Sequence, residues 1–272
     1  MHDLAVALRI YPLISKNPII HSNNKFELVK TSLMSFKTSL KGLQVFFYFI
    51  LDGCPFEYKT LIRDIFKNDD YIIYETDSIG NLATFKKQIE ILTTQNYSEI
   101  VYFAEDDYLY QPNLFYKLID IVKSGNADFA TCYAHNDLFT HPIHNHKRKV
   151  KYINDHFWME ANSTCLTFIT KKSTLIKTQK IFLTYINGNN DCSIWLTLTK
   201  KHVLNPNSWF RFFNNKECIG IIKVAVKKSL FYYLTSPKYS LWVSYPAIGT
   251  HLEQFTESPG YDWIELANKL RK

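Results

Sequence analysis

Three consecutive carboxylates, Glu105, Asp106 and Asp107, are the residues whose types and spacing most directly suggest chemistry. They end an otherwise apolar run in the stretch YFAEDDYLY. Like charges beside a buried element repel one another and are costly to desolvate, so a compensating group is expected. Mg²⁺ and Mn²⁺ prefer carboxylate oxygens and often share them with substrate phosphates. The triplet therefore suggests a metal site, and the alternative is a charged loop capping a helix that starts near Pro112.

The elements that position these acids alternate between strands and helices. Strands are predicted at 4–10, 45–51, 71–74 and 99–104, with apolar residues at a helical period between them. This alternation predicts an α/β fold with a mostly parallel central sheet and helices on both faces, forming a single compact unit. Ligands bind beyond the carboxyl ends of such strands. Asp52, residues 78–81 and the acidic triplet should therefore surround one crevice.

The second part of the chain has a less regular pattern. Further elements are predicted as a helix from Pro112 to Val122, a strand over 128–133, a long loop over 135–152, a strand over 163–170, a helix over 173–184 and a turn over 187–190. No internal repeat or low-complexity linker separates them from the first part. The chain is therefore expected to fold as one unit with two functional halves.

The order of these motifs resembles a known family. With Asp52 ending the second strand, Gly80-Asn81 starting a helix and the triplet ending the fourth strand, the sequence resembles nucleotide-sugar glycosyltransferases of the GT-A fold, family-2 type. The triplet stands where that family has its DxD motif, with Glu105 in place of the first Asp. The resemblance covers about residues 4–134. It implies transfer of a sugar from a nucleoside diphosphate to an acceptor hydroxyl.

The same resemblance implies roles for individual positions. Asp107 would be the metal ligand, and Glu105 would lie toward the metal or the ribose. Asp52 would correspond to the acid that hydrogen-bonds the nucleotide base. The remaining residues implied at the nucleotide are Arg9, Tyr11, Pro12, Asn81 and Asp106.

Candidate catalytic residues lie in the second half. Asn189-Asn190-Asp191 precedes an apolar helical run and resembles the family's acidic motif, whose carboxylate is the general base of an inverting transfer. Capping of that helix is the alternative role for Asp191, and one residue could do both. Glu160 is the reserve candidate for the base. By resemblance, His251 would complete the metal site or contact phosphate, and a structural role is its alternative.

A histidine cluster precedes these residues in the chain. Its members are His135, His141, His144 and His146. The cluster lacks both the HExxH spacing and thiol partners, which argues against zinc. It instead favours a flexible loop on the acceptor side, with the basic residues of 147–151 facing phosphate or an anionic acceptor.

Composition narrows the class of protein. The formal charge of +7 suits an anionic partner such as a nucleotide, nucleic acid or acidic membrane, but no nucleic-acid-binding motif is recognised. Five cysteines without a CxxC pair, and no N-terminal signal segment, favour a reducing cytosol and argue against disulfides or structural zinc. Phe231, Tyr232, Tyr233 and Leu234, beside lysines, are expected to pack in the core, and contact with the inner face of a membrane is the alternative.

These expectations combine into one functional hypothesis. Residues 1–134 would form a nucleotide-sugar-binding half and 135–272 an acceptor-binding half with a C-terminal tail, within one GT-A domain. The protein would be a cytoplasmic, Mn²⁺- or Mg²⁺-dependent, inverting glycosyltransferase of the hexosyltransferase type. It would use a UDP- or GDP-linked donor and a glycan or lipid-linked acceptor, in surface polysaccharide synthesis.

Two other classes stay open at this point. A sugar-nucleotide nucleotidyltransferase generally needs a Gly-rich phosphate loop after its first strand, and the segment YPLISKNPII contains no glycine. A basic nucleic-acid-binding protein would explain the net charge but not the acidic triplet.

Overall fold

The computed structural model of the chain describes residues 1–14 and 17–270. Its first part alternates strands and helices. The elements are β1 (Leu4–Ile10), α1 (Lys25–Ser39), β2 (Val45–Asp52), α2 (Phe56–Ile65), β3 (Asp70–Thr76), α3 (Gly80–Thr94) and β4 (Ile100–Glu105). Each predicted strand and helix of this part is present, within a few residues of its predicted ends.

The second part mixes short strands with helices. Its elements are β5 (Tyr108–Tyr110), α4 (Tyr116–Lys123), β6 (Phe129–Thr131), α5 (Asp137–Thr140), β7 (Val150–Ile153), β8 (His156–Ala161), β9 (Phe168–Lys171), α6 (Lys172–Phe182), α7 (Asp191–Thr199), α8 (Pro206–Arg211), α9 (Lys216–Thr235), β10 (Leu241–Tyr245), β11 (Gly249–His251) and α10 (Trp263–Leu270). Short 3-10 turns lie at Pro142–His144 and Leu183–Asn187.

One nine-stranded sheet runs through the structure in the order β3-β2-β1-β4-β9-β6-β10-β8-β7. The pairs β1–β2, β1–β4 and β2–β3 are parallel, as is β6–β10, whereas β9, β8 and β7 pair antiparallel to their neighbours. The strand order turns back between β1 and β4, which is the position where open α/β sheets bind ligands. The predicted α/β class is confirmed, and the sheet crosses the predicted boundary at residue 134.

Alternation along β1 shows how the sheet is covered. Leu4, Val6 and Leu8 belong to the core cluster shared with α1, α2 and α4, whereas Ala5 and Ala7 belong to the cluster shared with α3, α6, α7 and α10. Successive side chains of a strand point to opposite faces, so a fully apolar strand requires cover on both faces. The two alanines leave room for α3, which lies directly behind the ends of β1 and β4.

Several predicted elements differ from the structure. The helix predicted from Pro112 begins only at Tyr116, after Asn113 adopts a φ of 58°. The strand predicted over 163–170 is shortened to β9, and the loop predicted over 135–152 contains α5 and the start of the β7–β8 hairpin. The prediction omitted α9, although its buried positions recur at helical spacing.

Candidate functional site

A cavity of about 390 Å³ opens at the carboxyl ends of β1, β2 and β4. We call it the first cavity. The predicted site residues that line it are Arg9, Tyr11, Asp52, Asn81, Glu105, Asp106 and Asp107. Pro12 is not among the described residues on its wall. The predicted gathering of three polar segments around one crevice is therefore observed.

Each carboxylate of the triplet has its own cationic partner. Glu105 is paired with Arg9, Asp106 lies 2.8 Å from Lys25 Nζ, and Asp107 lies 3.0 Å from His251 Nε2. The three partners come from β1, α1 and β11, which are far apart in sequence. The protein thus balances the adjacent negative charges with side chains of its own.

Glu105 is held on both oxygens. Oε1 accepts a hydrogen bond from Arg9 Nη2, and Oε2 accepts one of 2.8 Å from Thr167 Oγ1. Arg9 also donates to the side-chain oxygen and the backbone oxygen of Asn81, the latter at 3.1 Å. Burial lowers the pKa of Arg9, but the charge of Glu105 outweighs it and the pKa is raised. The guanidinium therefore stays charged at the cavity wall and fixes Asn81 beside Glu105.

Asp106 connects two other segments of the chain to the end of β4. Oδ1 accepts from Lys25 Nζ and Oδ2 accepts from the backbone N–H of Tyr11, both at 2.8 Å. Burial lowers the pKa of Lys25, yet the nearby carboxylates, Asp106 foremost, raise it overall. Since both oxygens are engaged, Asp106 fastens the start of α1 and the loop after β1 to the end of β4.

Asp107 is the member of the triplet with an unengaged oxygen. Oδ2 faces His251, while Oδ1 is buried and has no hydrogen-bond partner among the described residues. Burial favours protonation of Asp107, but the His251 charge and hydrogen bond, followed by Lys25 and Arg9, hold its pKa below the ordinary value. Burial lowers the pKa of His251, and Asp107 more than reverses that effect. An ionised Asp107 with one unpartnered oxygen is a suitable ligand for a cation.

Asp52 shapes the loop between β3 and α3. Its carboxylate accepts hydrogen bonds from the backbone N–H of Ile79 at 2.7 Å, that of Gly80 at 2.8 Å and Thr76 Oγ1 at 2.8 Å. Gly80 has a φ of 84°, a conformation that L side chains rarely adopt. Because Asp52 binds this loop through both oxygens, it positions Asn81 at the first cavity.

A second cavity, of about 400 Å³, lies beyond His251. Its wall combines residues of 133–144 and 163–165 with the first turns of α7 and α9, and with His251 and Glu253. His251 pairs with Asp107 through Nε2 and lies 3.3 Å from Glu253 through Nδ1. The Asp107–His251 pair therefore stands between the two cavities.

Asp191 lines the second cavity but does not cap α7. The N-cap is Asn190, whose Oδ1 accepts a 2.8 Å hydrogen bond from the backbone N–H of Ser193. The predicted capping role of Asp191 is therefore wrong, because the preceding residue, Asn190, caps the helix. As the first residue of α7, Asp191 presents its carboxylate at a helix N-terminus, where the helix dipole favours negative charge.

Glu160 lies elsewhere. It sits on β8 opposite Trp242 of β10, 3.9 Å from Lys201 Nζ and 3.4 Å from the backbone nitrogen of Lys149. It is not among the described residues that line either cavity. Trp158, on the same strand, is buried in the core. The structure thus separates the two candidate bases, and of the two only Asp191 lies on a cavity wall, together with His251, the partner of Asp107.

Three of the four clustered histidines line the second cavity. His135 and His144 have ring centroids 5.1 Å apart, and His141 contacts Glu217 of α9 at 3.3 Å. Burial lowers the pKa of His135 to about 4, and burial followed by the His135 charge lowers that of His144 to about 3. These two rings are therefore neutral at pH 7. The lysines of 147–151 are not among the described wall residues.

Sequence reasoning placed Arg9 and His251 at the site but missed other residues that hold it together. Lys25 and Thr167 were not predicted at the site, and neither was Tyr185, whose hydroxyl accepts a 3.1 Å hydrogen bond from Asn81 Nδ2. One signal was available for Lys25. A lysine in the first turn of a helix opposes the helix dipole, so its presence there suggests a local anionic partner.

The unpartnered oxygen of Asp107 is relevant to the predicted metal site. Across residues 1–14 and 17–270, no group of three or more His, Cys, Asp and Glu side chains is arranged to hold a metal ion. Mg²⁺ is nevertheless usually bound by one or two carboxylates together with substrate phosphates, not by an all-protein cage. The buried Oδ1 of Asp107 fits that mode of binding.

The fold was compared with solved structures. TarS 1–349 from S. aureus in complex with UDP superposes with a TM-score of 0.48 at 11% identity, over 82% of this chain and 65% of that chain. The same protein in complex with UDP-GlcNAc gives 0.44 at 12% identity, over 71% and 52%. HddC from Yersinia pseudotuberculosis gives 0.36 at 14% identity, over 68% and 80%.

The chain covers less than two thirds of the length of these TarS structures. No protein-family model and no curated protein matches the sequence. At these scores the likeness carries no inference about activity, which must be argued from the site itself. Within the described ranges, no helix is both long and apolar enough to cross a membrane.

Proposed function

We propose that this protein is a nucleotide-sugar glycosyltransferase. The observation that carries the proposal is the Asp107–His251 pair, which stands between two cavities of similar size, Asp107 on the wall of the first and His251 on that of the second. A transferase needs a donor site and an acceptor site that meet where the group is transferred. The first cavity is suited to the donor and the second to the acceptor.

The first cavity can hold a nucleoside diphosphate together with a metal ion. Arg9 and Lys25 neutralise Glu105 and Asp106, and the unpartnered oxygen of Asp107 would hold a Mn²⁺ or Mg²⁺ ion that supplies positive charge to the diphosphate. Such an ion neutralises charge on the departing diphosphate. The loop that Asp52 holds supplies Asn81 and backbone groups to the nucleoside, in which the base is uracil or guanine.

The second cavity provides the acceptor side. Asp191 is its candidate general base, which removes the proton from the attacking hydroxyl, as an inverting transfer requires. The wall carries neutral His135 and His144 with carboxylates, and none of its described residues is Lys or Arg. A neutral, hydroxyl-rich sugar therefore suits this cavity better than an anionic acceptor does.

The remaining parts of the hypothesis follow from this division. Residues 1–134 form the donor half and 135–272 the acceptor half, and the reaction belongs to the hexosyltransferase type. The acceptor is a glycan or a lipid-linked glycan of a surface polysaccharide pathway in the cytoplasm. The basic residues of the chain serve the donor diphosphate and the surface described below, not nucleic acid.

A thermal-shift panel tests the proposal. UDP, GDP and their sugars are added with and without Mn²⁺, and one nucleotide should stabilise the protein in a metal-dependent way, by about 2.7 kcal/mol at a hundredfold excess over Kd. Asp107→Asn should lose the metal-dependent part, because the amide is uncharged. Asp64→Asn, an exposed position on α2, is the matched control and should retain it.

Two outcomes would contradict the proposal. If no nucleoside diphosphate shifts the melting temperature, the first cavity is not a donor site. If Asp107→Asn keeps the metal-dependent shift unchanged, Asp107 is not a metal ligand. Product analysis separates the related class, because sugar transfer releases a nucleoside diphosphate whereas nucleotidyl transfer releases pyrophosphate.

A further inference from the structure

Helices α8 and α9 border an apolar groove of about 660 Å³, away from the proposed site. Trp209, Phe210 and Phe213 form one wall, and Ile219 and Val226 of α9 form the other. The exposed fractions of Phe210 and Phe213 are 82% and 79%. Exposed apolar surface on this scale marks an interaction site, because leaving such rings in water has no structural benefit.

A basic stripe runs beside the groove along α9. Lys216, Lys223 and Lys227 are exposed on one side of the helix, and the same side continues into Phe231 and Leu234, which are 70% and 65% exposed. Eighteen residues separate the ends of the stripe, a distance of about 27 Å along a helix. The expected core packing is therefore wrong for Phe231 and Leu234, whereas Tyr232 and Tyr233 do pack against the core. Lysines and apolar side chains share one elongated surface.

The charge of the whole segment has one sign. Between Asp191 and Glu253 the sole acidic residue is Glu217. The basic residues of this segment are Lys200, Lys201, Arg211, Lys216, Lys223, Lys227, Lys228 and Lys238. Glu217 faces the second cavity, on the other side of α9 from the groove. The exposed surface of α8 and α9 is therefore strongly cationic.

We infer that this surface, formed by Phe210, Phe213, Lys223, Lys227, Phe231 and Leu234, docks the protein onto an anionic lipid bilayer. Aromatic and aliphatic side chains enter the boundary between headgroups and acyl chains, while lysines contact lipid phosphates. A bilayer fits this surface because its acyl chains accept the apolar side chains while its headgroup phosphates bind the lysines along the whole length. A protein helix would fill the groove but would leave the lysine stripe and Phe231 uncovered.

The position of α9 gives this docking a consequence. Ile221 and Glu217 line the second cavity, whereas Ile219, Lys223 and Val226 line the groove, so opposite sides of one helix serve the two. A helix is about 10–12 Å across. Docking would hold the second cavity about that far from the lipid headgroups, within reach of a membrane-linked acceptor. This consequence rests on the proposed function, whereas the docking itself does not.

Vesicle sedimentation tests the inference without any transfer assay. The intact protein should sediment with phosphatidylcholine vesicles containing about one third phosphatidylglycerol and remain in solution with pure phosphatidylcholine. Added salt should weaken the binding. Phe210→Ser/Phe213→Ser and Lys223→Glu/Lys227→Glu should each lower the partition coefficient by roughly tenfold or more.

Matched controls use exposed residues of the other half. Phe56→Ser, at a phenylalanine that is 70% exposed, and Lys41→Glu/Lys67→Glu should bind like the unchanged protein. Thermal unfolding of each variant verifies that it is folded. Failure to sediment with anionic vesicles would overturn the inference, as would equal losses in the control variants. Unchanged binding in Phe210→Ser/Phe213→Ser and Lys223→Glu/Lys227→Glu would overturn it too. The groove would then be better explained as a binding site for a protein partner.

Discussion

His251 Nε2 lies 3.0 Å from Asp107 Oδ2 and, through the ring's other nitrogen, 3.3 Å from Glu253. One imidazole thus bridges two carboxylates between the cavities. Its pKa is raised above 6.5, despite burial, by Asp107 foremost. The ring therefore carries a proton further into the neutral range than a free histidine does.

Replacing this histidine should have a pH-dependent effect on stability. His251→Gln leaves the partly buried Asp107 with a weaker partner and should lower the free energy of unfolding by about 1–3 kcal/mol at pH 6. A raised pKa stabilises the folded state fully below the unfolded value of 6.5, and that contribution is lost as pH rises through the folded pKa. Urea unfolding at pH 6 and pH 9 should show a smaller difference at pH 9. Equal differences would contradict the assignment.

The buried pair of Lys25 and Asp106 should be more costly to break than a surface pair. Lys25→Met leaves an unpaired buried carboxylate and should destabilise the protein by about 3–5 kcal/mol. Lys30→Met, on the same helix, removes an exposed partner of Glu27 and should cost at most about 1 kcal/mol. Denaturant unfolding measures both. Adding Asp106→Asn to Lys25→Met should recover part of the loss, and no recovery would argue against charge as the cause.

Two glycines should respond to alanine with opposite signs. At Gly80 an added Cβ has space, but the φ of 84° is strained for alanine, so Gly80→Ala should lower the free energy of unfolding by about 1 kcal/mol. Gly220, inside α9, has no positive φ and no atom near an added Cβ. Gly220→Ala should therefore stabilise by about 0.4–1 kcal/mol. Thermal unfolding of both variants measures the signs, and a stabilising Gly80→Ala would contradict the loop geometry.

Buried histidines should make the protein sensitive to acid. The pKa is about 4 for His135 and about 3 for His144, below the unfolded value of 6.5, so the unfolded state binds more protons between these limits. Stability is then full above pH 6.5 and falls as pH decreases, by up to about 1.4 kcal/mol per pH unit for each ring. His144→Gln should flatten the decline between pH 6.5 and pH 4.5. An unchanged slope would show that other groups cause it.

The two candidate bases can be separated by matched amide substitutions. Asp191→Asn should reduce sugar transfer by roughly 10²–10⁴-fold while nucleotide binding is retained, since general-base catalysis has that magnitude. Its fold should persist because Asn190 caps α7. Glu160→Gln should transfer at the normal rate. Transfer kinetics, with thermal shift as the binding measure, decide between them, and the reverse pattern would reassign the base to Glu160.

The sequence predicted the first half of the fold because its signals are local. The strands β1 to β4 are short apolar runs, and the helices between them repeat at a helical period, so each element is visible within its own window. Their alternation then requires the sheet edge that brings Asp52, Asn81 and the acidic triplet together. That part of the site follows from the order of elements alone.

The rest of the site depends on contacts that no local pattern contains. Lys25 and Thr167 meet the triplet from distant positions and were not predicted, and the resemblance placed His251 at the site without identifying Asp107, 144 residues away, as its partner. The N-cap of α7 shows a second limit. Asn190 and Asp191 are both good caps, and only the backbone conformation places the helix start between them.

The small sheet of β5 and β11 makes the site depend on a segment far along the chain from the acidic triplet. It pairs His251 directly with Tyr108, the residue after Asp107. The register of residues 249–251 against β5 therefore places the His251 ring beside the Asp107 carboxylate. Ribosomes make that segment long after β4. When Glu105 and Asp106 are synthesised, their partners Arg9 and Lys25 are therefore already part of the chain. The partner of Asp107, His251, is synthesised 144 residues later. A nascent chain that does not yet contain residues 249–251 therefore lacks the histidine partner of Asp107, and the junction between the cavities cannot be complete.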